Sequence, residues 1–383
     1  MCDILKHTTM KTGDKTMKKI HRTLSLFTVA AMCTALLCSC GEVPDGSQTD
    51  SSSKAATTTT ADSTADTTTT GEASSTASAT SAPDSSVSDS SSAVTDDTKT
   101  NGITPAMWKV TSPEGNTMVM LGSFHALKDE CYPLPEAVTN AYNNADILAV
   151  ECDITATQED GEYMKNLMKQ MLYNDNTKLS QHISEEAYSA LQTYLGYWGM
   201  DISALEVYRP WAVSSTLDTL LIQDSDFDTE KGLDNFLLTT AHADGKEIYE
   251  VESVDFQLNM LINFSDDIYD LMFRSYEGET KESQKQALED LYTAWKSGDI
   301  ETFLEEDNEE ELAGYTEEDK KIAEDYNNQM LYDRNKNMAK AAEDLMSQGK
   351  NVFYVVGAAH YAGEGGIIDL LEKDGYTAER VQY

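Results

Sequence analysis

The sequence predicts an α/β fold with a central mixed β-sheet and a large helical middle region. Residues 117–121 and 351–356 are apolar, β-favouring runs, and each leads directly into Gly-x-x-His, ending at His125 and His360. A helical segment and a further strand follow each motif. Two strand, Gly-x-x-His, helix, strand units are therefore expected to build the sheet. Between them, apolar residues recur every three or four positions, as in helices that bury one face.

The first 40 residues have the features of a bacterial export signal. A basic start at Met17 precedes residues 24–37, an apolar stretch of signal-peptide length. The run Leu37-Cys38-Ser39-Cys40-Gly41 then resembles the lipobox of bacterial lipoprotein precursors. We therefore expect a signal peptide over residues 1–40 and a lipid on Cys40 that anchors the protein to the outer face of the cytoplasmic membrane, at the cell surface. An ordinary secretory signal is the alternative.

Residues 41–100 form a low-complexity segment, with 30 Ser or Thr in 60 positions and almost no large apolar side chain. Such a segment buries too little apolar surface to offset the entropy lost on ordering. It is expected to be a disordered linker between the lipid and the folded region.

The folded region is expected to be one large domain or two closely packed ones over residues 101–383. It holds 20 Lys or Arg and 55 Asp or Glu, a formal net charge near −35. This charge argues against nucleic acid or anionic lipid as a partner and favours divalent cations near the surface. The two cysteines of the region, Cys131 and Cys152, either pair as one disulfide or stay reduced, and the sequence leaves both open.

The amino-terminal unit begins with a hairpin, whose strands are residues 108–110 and 117–121. A helix over residues 136–144 follows, with Pro135 at its first turn. A buried strand, residues 146–151, then ends on Glu151.

The carboxyl-terminal unit repeats this order, with a strand over residues 351–356, a helix over 367–373 and a strand over 377–382. We expect the strand pairs of the two units to lie side by side in one sheet. A short strand is also predicted at 247–251. Helices of the middle region are predicted over residues 163–173, 184–197, 211–222, 233–243, 253–264, 281–297 and 316–348.

His125, His360 and Glu151 are the candidate metal ligands. Open α/β sheets place their ligands beyond the carboxyl ends of strands, so two strand-end histidines can converge there. Glu151 joins them because its strand is expected to neighbour the first Gly-x-x-His strand. Two imidazoles and a carboxylate suit Zn, Mn, Co or Fe. Asp153 is expected to be a substitute ligand or to steady one of the histidines. The alternatives are structural histidines and a Glu151 that faces solvent.

A series of further motifs accompanies these residues in a specific order. They are Trp108-Lys109-Val110, Leu121-Gly122-Ser123-Phe124-His125, Tyr132-Pro133-Leu134-Pro135, Val150-Glu151-Cys152-Asp153, Arg209-Pro210-Trp211-Ala212, Gly232-Leu233-Asp234, Glu252 with Gln257, Arg334-Asn335, and Val356-Gly357-Ala358-Ala359-His360 followed by Gly366. Together they cover residues 101–383 and resemble the TraB/PrgY/GumN family, which includes the Tiki metalloproteases. Cys152 departs from the aliphatic residue common in similar sequences.

The resemblance implies a Tiki-like active site that depends on Mn or Co, with Zn as a further option. Carried over by match, His125, His360 and Glu151 hold the metal, and Glu151, Arg334 and Asn335 are catalytic. Arg334 would stabilise negative charge on a hydrated carbonyl, and Asn335 would orient the substrate or a ligand. From the residues alone, Arg334 is a solvated ion-pair residue within the long helix predicted over 316–348.

The function expected from these features is a metal-dependent peptidase, a hydrolase at the cell surface with a peptide or protein substrate. The alternative is a non-catalytic surface protein that binds or sequesters a small peptide signal. An esterase or a haem-handling protein is a third hypothesis, although the chain has no Gly-x-Ser-x-Gly motif.

Overall fold

A six-stranded β-sheet forms the centre of the part of the chain that the structure describes. The structure is a computed structural model, and it describes residues 101–158, 160–304 and 315–383. The strands are β1 (Met107–Thr111), β2 (Thr117–Ser123), β3 (Ile147–Val150), β4 (Glu247–Glu250), β5 (Val352–Gly357) and β6 (Thr377–Arg380), in the spatial order β4-β3-β5-β2-β1-β6. The predicted signal peptide, Cys40 and the linker lie outside the described residues.

The sheet is mixed, as the sequence predicts. Strands β4, β3, β5 and β2 are parallel to one another, whereas β1 is antiparallel to both β2 and β6. Every residue of β3 and β5 is buried, as expected for central strands that are covered on both faces. The four parallel strands end at the same edge of the sheet, so the residues that follow β2, β3 and β5 are brought together.

The strand order differs from the prediction in two respects. The strand that precedes Glu151 pairs with β5, through Val150 and Val355, and not with the first Gly-x-x-His strand. The strands of the carboxyl-terminal unit are also not neighbours, because β5 pairs with β2 and β6 pairs with β1. Both corrections have one cause, which is the position of β5 in the sheet. β5 is buried at every residue and lies between β3 and β2, so the β1–β2 hairpin separates β5 from β6.

Twelve helices of the described residues surround the sheet and fill the middle region. They are α1 (Glu136–Asn144), α2 (Thr155–Gln158), α3 (Gly161–Gln170), α4 (Glu185–Gly196), α5 (Pro210–Gln223), α6 (Leu233–Asp244), α7 (Val254–Ile262), α8 (Asp266–Arg274), α9 (Lys281–Ser297), α10 (Glu317–Asn327), α11 (Asp333–Met346) and α12 (Ile367–Lys373). Most predicted helices match to within a few residues. Helix α8 was not predicted, although Ile268, Leu271 and Met272 recur at helical spacing.

The long helix predicted over residues 316–348 is interrupted. A π-helical segment, Asn328–Tyr332, separates α10 from α11. π-helical turns inside α-helices are frequent at functional sites, and this one ends two residues before Arg334. Arg334 and Asn335 are both buried, so the prediction of a solvated Arg334 is wrong.

The two cysteines of the folded region do not pair. Both are buried and free. The Cys131 thiol lies 3.1 Å from the Tyr292 hydroxyl, whereas the Cys152 thiol donates to Oε1 of Gln257 at 3.6 Å. Their different partners resolve the disulfide question that the sequence left open.

None of the helices in the described ranges combines the length and the apolar character needed to cross a bilayer.

Candidate active site

The side chains of His125, Glu151 and His360 surround the backbone of Gly357 at the edge where the parallel strands end. A Cβ atom placed on Gly357 would lie 3.1 Å from Oε1 of Glu151, 3.5 Å from Cδ2 of His360 and 3.7 Å from Nε2 of His125. The glycine therefore leaves room for three side chains that approach one another from β2, β3 and β5. The structure thus brings together the three ligands that the sequence predicts.

His125 lies two residues beyond β2, and its ring is oriented by Asp234 in the first turn of α6. Its Nδ1 is 2.8 Å from Oδ2 of Asp234, which leaves Nε2 directed towards Gly357. Burial alone would lower the pKa of His125, but the carboxylates of Asp234 and Glu151 raise it to about 9. A carboxylate behind the ring is also the usual partner of a metal-binding histidine.

His360 lies in a short 3₁₀ turn, Ala358–Tyr361, directly after β5. Its Nδ1 is 2.6 Å from Oδ1 of Asn335, whose Nδ2 donates to the carbonyl of Gly365 at 3.0 Å. Because the amide oxygen of Asn335 can only accept, the proton of the neutral ring is on Nδ1 and the lone pair is on Nε2. Burial and the nearby Arg334 lower the pKa of His360 to about 3, against the opposing effect of Glu151.

Glu151 follows β3 and is held by three donors. Its Oε1 accepts from the backbone N–H of Gly357 at 2.7 Å, and its Oε2 accepts from Arg334 at 2.7 Å and from Gln257 at 2.9 Å. Burial would raise the pKa of this carboxyl, but Arg334 and the two histidines hold it well below its usual range. Glu151 is therefore an ionised carboxylate inside the protein, and the prediction of a solvent-facing Glu is excluded.

Arg334 forms a buried ion cluster with Glu151 and a second carboxylate, Glu252. Its Nε and Nη2 donate to the two oxygens of Glu252, both at 2.8 Å, and Nη2 also donates to Glu151. Its Nη1 donates to the carbonyl of Met330 in the π-helical segment at 3.1 Å. The geometry therefore makes Arg334 a residue that positions Glu151.

The donor set suits a divalent cation. Nε2 of His360 lies 3.7 Å from Oε1 of Glu151, a separation that an ion with bonds of about 2.1 Å to each atom can span. The hydroxyl of Ser123, beside Gly357 in the sheet, is buried and has no hydrogen-bond partner among the described residues. Within the described ranges, no group of three or more His, Cys, Asp or Glu side chains is already spaced to hold a metal ion.

Asp153 does not steady either candidate ligand. Its carboxylate instead contacts Nε2 of His242 at 2.7 Å and the hydroxyl of Thr155 at 2.5 Å. The residues that orient the two histidines are Asp234 and Asn335. The family resemblance implies that Asn335 orients the substrate or a ligand, and that role stays a prediction.

Three residues of the site were not assigned roles from the sequence: Asp234, Glu252 and Gln257. Glu252 comes directly after the strand predicted over residues 247–251 and two residues after β4 as observed. The reasoning that selected Glu151 at the end of its strand therefore also selects Glu252. Gln257 donates to both carboxylates and therefore ties them together. No local pattern indicated the contact of Asp234 with His125, which lies 109 residues away in the sequence.

The cluster opens into a cavity of about 140 Å³. His125, Glu151, His360 and Arg334 line one part of it. The rest of the lining is mainly apolar and comes from the middle helices, together with Asp218 of α5. An apolar cavity with a few polar groups of perturbed pKa is the usual form of a site that binds an organic ligand.

Comparison with known proteins gives one family and several relatives. The model of the TraB/PrgY/gumN family matches residues 106–380. The chain is 26% identical to the protein named "Uncharacterized protein YbaP" from Escherichia coli (strain K12) over 157 residues, 41% of this chain and 56% of that protein. It is 25% identical to a protein named "Metalloprotease TIKI homolog" from Nematostella vectensis over 293 residues, 65% of this chain and 61% of that protein. A further match, 25% identical over 164 residues, is "Metalloprotease TIKI2" from Danio rerio, covering 38% of this chain and 32% of that protein. The chain thus spans less than two thirds of each relative. No solved structure matches it.

Proposed function

This chain belongs to the TraB/PrgY/gumN family, and on that premise we propose that it is a metal-dependent peptidase. One observation carries the proposal: Glu151 Oε1 and the rings of His125 and His360 converge within 4 Å of a single point beside Gly357. Relatives that are named metalloproteases support the same activity.

In this proposal, the side chains of His125, His360 and Glu151 would hold the ion, with Mn or Co preferred and Zn a further option. When bound, the ion polarises the peptide carbonyl and lowers the pKa of a water molecule. Asp234 and Asn335 fix the two rings so that Nε2 of each faces the cavity. Nε2 of His360 presents a lone pair, whereas His125 would give up the proton on Nε2 when the ion binds. These contacts set the ring tautomers before any ligand arrives.

The remaining polar residues have positioning and donor roles. Arg334 and Gln257 hold Glu151 in place rather than meeting the substrate. The hydroxyl of Ser123, which has no partner in the described part of the chain, donates to the oxygen of the hydrated carbonyl. We thus propose Ser123 for the charge-stabilising role that the family resemblance implies for Arg334.

Metal analysis tests the ligand set. The purified protein is loaded with Mn²⁺, dialysed and analysed beside the double variant His125→Ala/His360→Ala. We expect wild type to retain close to one ion per chain and the double variant to retain almost none. Equal, negligible metal in both proteins would contradict the proposal.

Peptide incubation separates catalysis from sequestration. Peptides are mixed with the Mn²⁺-loaded protein and examined by mass spectrometry and by a binding assay. Cleavage that is lost in Glu151→Gln supports a peptidase. Intact, tightly bound peptide identifies instead the non-catalytic binder that the sequence left as the alternative.

We also propose that the protein is a lipoprotein at the cell surface, anchored through Cys40. The apolar stretch, the Leu37-Cys38-Ser39-Cys40-Gly41 run and the Ser/Thr-rich segment support this location. In a bacterial host, wild type is expected in the membrane fraction and Cys40→Ser in the soluble fraction. The same fractionation of both proteins would contradict a lipid on Cys40.

A further inference from the structure

Asp218 is a buried acid in the apolar part of the cavity. It lies on α5, among buried neighbours, and is only 6% exposed. It lines the same cavity as the histidines. Its Oδ2 has no hydrogen-bond partner in the described part of the chain.

The other carboxylates of the cavity are already satisfied. Glu151 is bound by Arg334 and Gln257, and Asp234 is bound by His125. Burial alone raises the pKa of Asp218 well above its ordinary value, with no cation among the causes. A buried carboxyl without a hydrogen-bond donor raises the free energy of the ligand-free protein. A ligand that supplies this donor therefore binds more tightly.

The surroundings of Asp218 define the shape and chemistry of such a ligand. The walls away from the histidines are mainly apolar. Aliphatic side chains come from α5, α7, α9 and the π-helical segment, and the aromatic rings of Phe303 and Tyr326 also line the cavity. The whole cavity, including the part beside the two histidines, has a volume of about 140 Å³, close to the volume of about 150 Å³ of a cavity that holds benzene. The space therefore suits a chain of several methylene groups that ends in a hydrogen-bond donor.

Resting on the proposed peptidase activity, we propose that this part of the cavity binds a lysine or arginine side chain of the substrate, and that Asp218 selects it by accepting hydrogen bonds from the cationic end. The aliphatic stem packs against the apolar walls, as such stems do elsewhere in proteins. On binding, the carboxyl of Asp218 gives up its proton to solvent, and the cation and the carboxylate then form a charge-assisted pair away from water. The net charge near −35 of residues 101–383 also attracts cationic peptides and so raises their concentration near the protein.

A pair of peptides tests the selection directly. They are identical except that one carries lysine where the other carries norleucine, which keeps the stem and lacks the ammonium group. The full chain is assayed with Mn²⁺ as wild type, Asp218→Asn and Asp374→Asn, a control in which the same substitution is made at an exposed aspartate. We expect kcat/KM to favour lysine by at least about tenfold in wild type and in the control, and the ratio to fall close to one in Asp218→Asn. A ratio near one in wild type, or one that survives in Asp218→Asn, overturns the proposal.

A binding measurement separates this proposal from the peptidase activity. Calorimetric titration of metal-free wild type with n-hexylammonium and with 1-hexanol compares two ligands that differ in the terminal group. Hexylammonium is expected to bind at least about tenfold more tightly, and Asp218→Asn to lose that preference. Equal or undetectable binding of both ligands by wild type overturns the proposal. Retained preference without cleavage of any peptide overturns only the peptidase function.

Discussion

At the scale of single residues, the buried cluster of Arg334, Glu151 and Glu252 is central to the site. The guanidinium donates to both carboxylates, and all three side chains are at most 10% exposed. Charges are costly to remove from water unless each is paired and hydrogen-bonded. Here the amide of Gln257 completes the pairing by donating to both carboxylates. Arg334 is therefore the cation that balances the charge of Glu151 and Glu252 in this cluster.

Replacing Arg334 by methionine is expected to destabilise the fold strongly. The change keeps much of the side-chain volume but leaves Glu151 and Glu252 as neighbouring buried carboxylates without a cation. The free energy of unfolding should fall by about 3–5 kcal/mol, the usual effect of removing one member of a buried ion pair. Urea unfolding followed by circular dichroism measures this change.

Lys336→Met is the matched control, because it removes a cation from the same helix. The ammonium of Lys336 lies 2.9 Å from Asp333, but both side chains are more than 60% exposed. Exposed pairs contribute little to stability, so the unfolding midpoint should hardly move. Equal losses of unfolding free energy in the two variants would contradict the argument that the buried Arg334 cluster stabilises the fold more than an exposed ion pair does.

The buried carboxyl of Asp218 should leave a signature in the pH dependence of stability. Burial raises its pKa in the folded protein well above the value of about 4 expected in the unfolded chain. Between these two pKa values the folded protein holds a proton that the unfolded chain has released, so stability falls as the pH rises. Asparagine does not titrate, so Asp218→Asn removes this fall of stability with rising pH.

The difference in free energy of unfolding, variant minus wild type, should therefore grow as the pH rises from about 4 towards the raised pKa. Urea titrations of the metal-free proteins at several pH values measure it. Asp374→Asn controls for the loss of one carboxylate. A difference for Asp218→Asn that stays constant with pH would refute a perturbed carboxyl.

At the scale of elements, the site depends on how closely α6 approaches the loop after β2. The backbone N–H of Leu233 donates to the carbonyl of Phe124 at 3.0 Å, and Asp234 then reaches His125. Gly232 begins this helix, and a Cβ atom there would lie only 2.1 Å from the carbonyl oxygen of His125. The glycine is required for close approach of two backbones, not for an unusual φ angle.

Gly232→Ala should separate α6 from the His125 loop. Relief of the overlap requires a backbone shift, which costs about 1–3 kcal/mol of stability in well-packed regions and weakens the contact of Asp234 with His125. Chemical denaturation measures the loss, and the His125 ring can be followed by NMR. Gly161→Ala in α3 is the control, since a Cβ atom there meets nothing within 4 Å. That control should be neutral or slightly stabilising, and a larger loss in it than in Gly232→Ala would contradict the packing argument.

At the scale of the whole molecule, the excess of acidic residues is the dominant property. A net charge near −35 over residues 101–383 produces self-repulsion in the folded state. Dissolved salt screens such repulsion, with a Debye length of about 10 Å at 0.1 M and about 3 Å at 1 M. Stability should therefore depend on ionic strength more than it does in a protein of balanced charge.

The melting temperature is expected to rise with NaCl between about 0.01 M and 0.5 M, because screening reduces the repulsion between carboxylates. Scanning fluorimetry measures this shift. A titration with sucrose separates charge screening from general solute effects, since sucrose carries no charge. A melting temperature that falls or stays level with salt would show that self-repulsion does not limit the fold.

The sequence predicted the local features of the candidate site well. The two Gly-x-x-His motifs and Glu151 follow buried apolar strands, and parallel strands deliver such residues to one edge of a sheet. That logic holds although the predicted neighbour of the Glu151 strand was wrong, because β2, β3 and β5 all end at the same edge. The roles of these residues as metal ligands stay a prediction.

The sequence alone determined the type of fold, most of the helices and the three side chains that converge beside Gly357, since periodicity and strand endings are local properties of the chain. The tertiary structure alone decided the strand order, the interruption before α11 and the partners Asp234, Asn335 and Glu252. The pairs that they form join residues 109, 25 and 82 positions apart. Such contacts depend on how elements that are distant in the sequence pack against one another, and a local sequence pattern does not specify that packing.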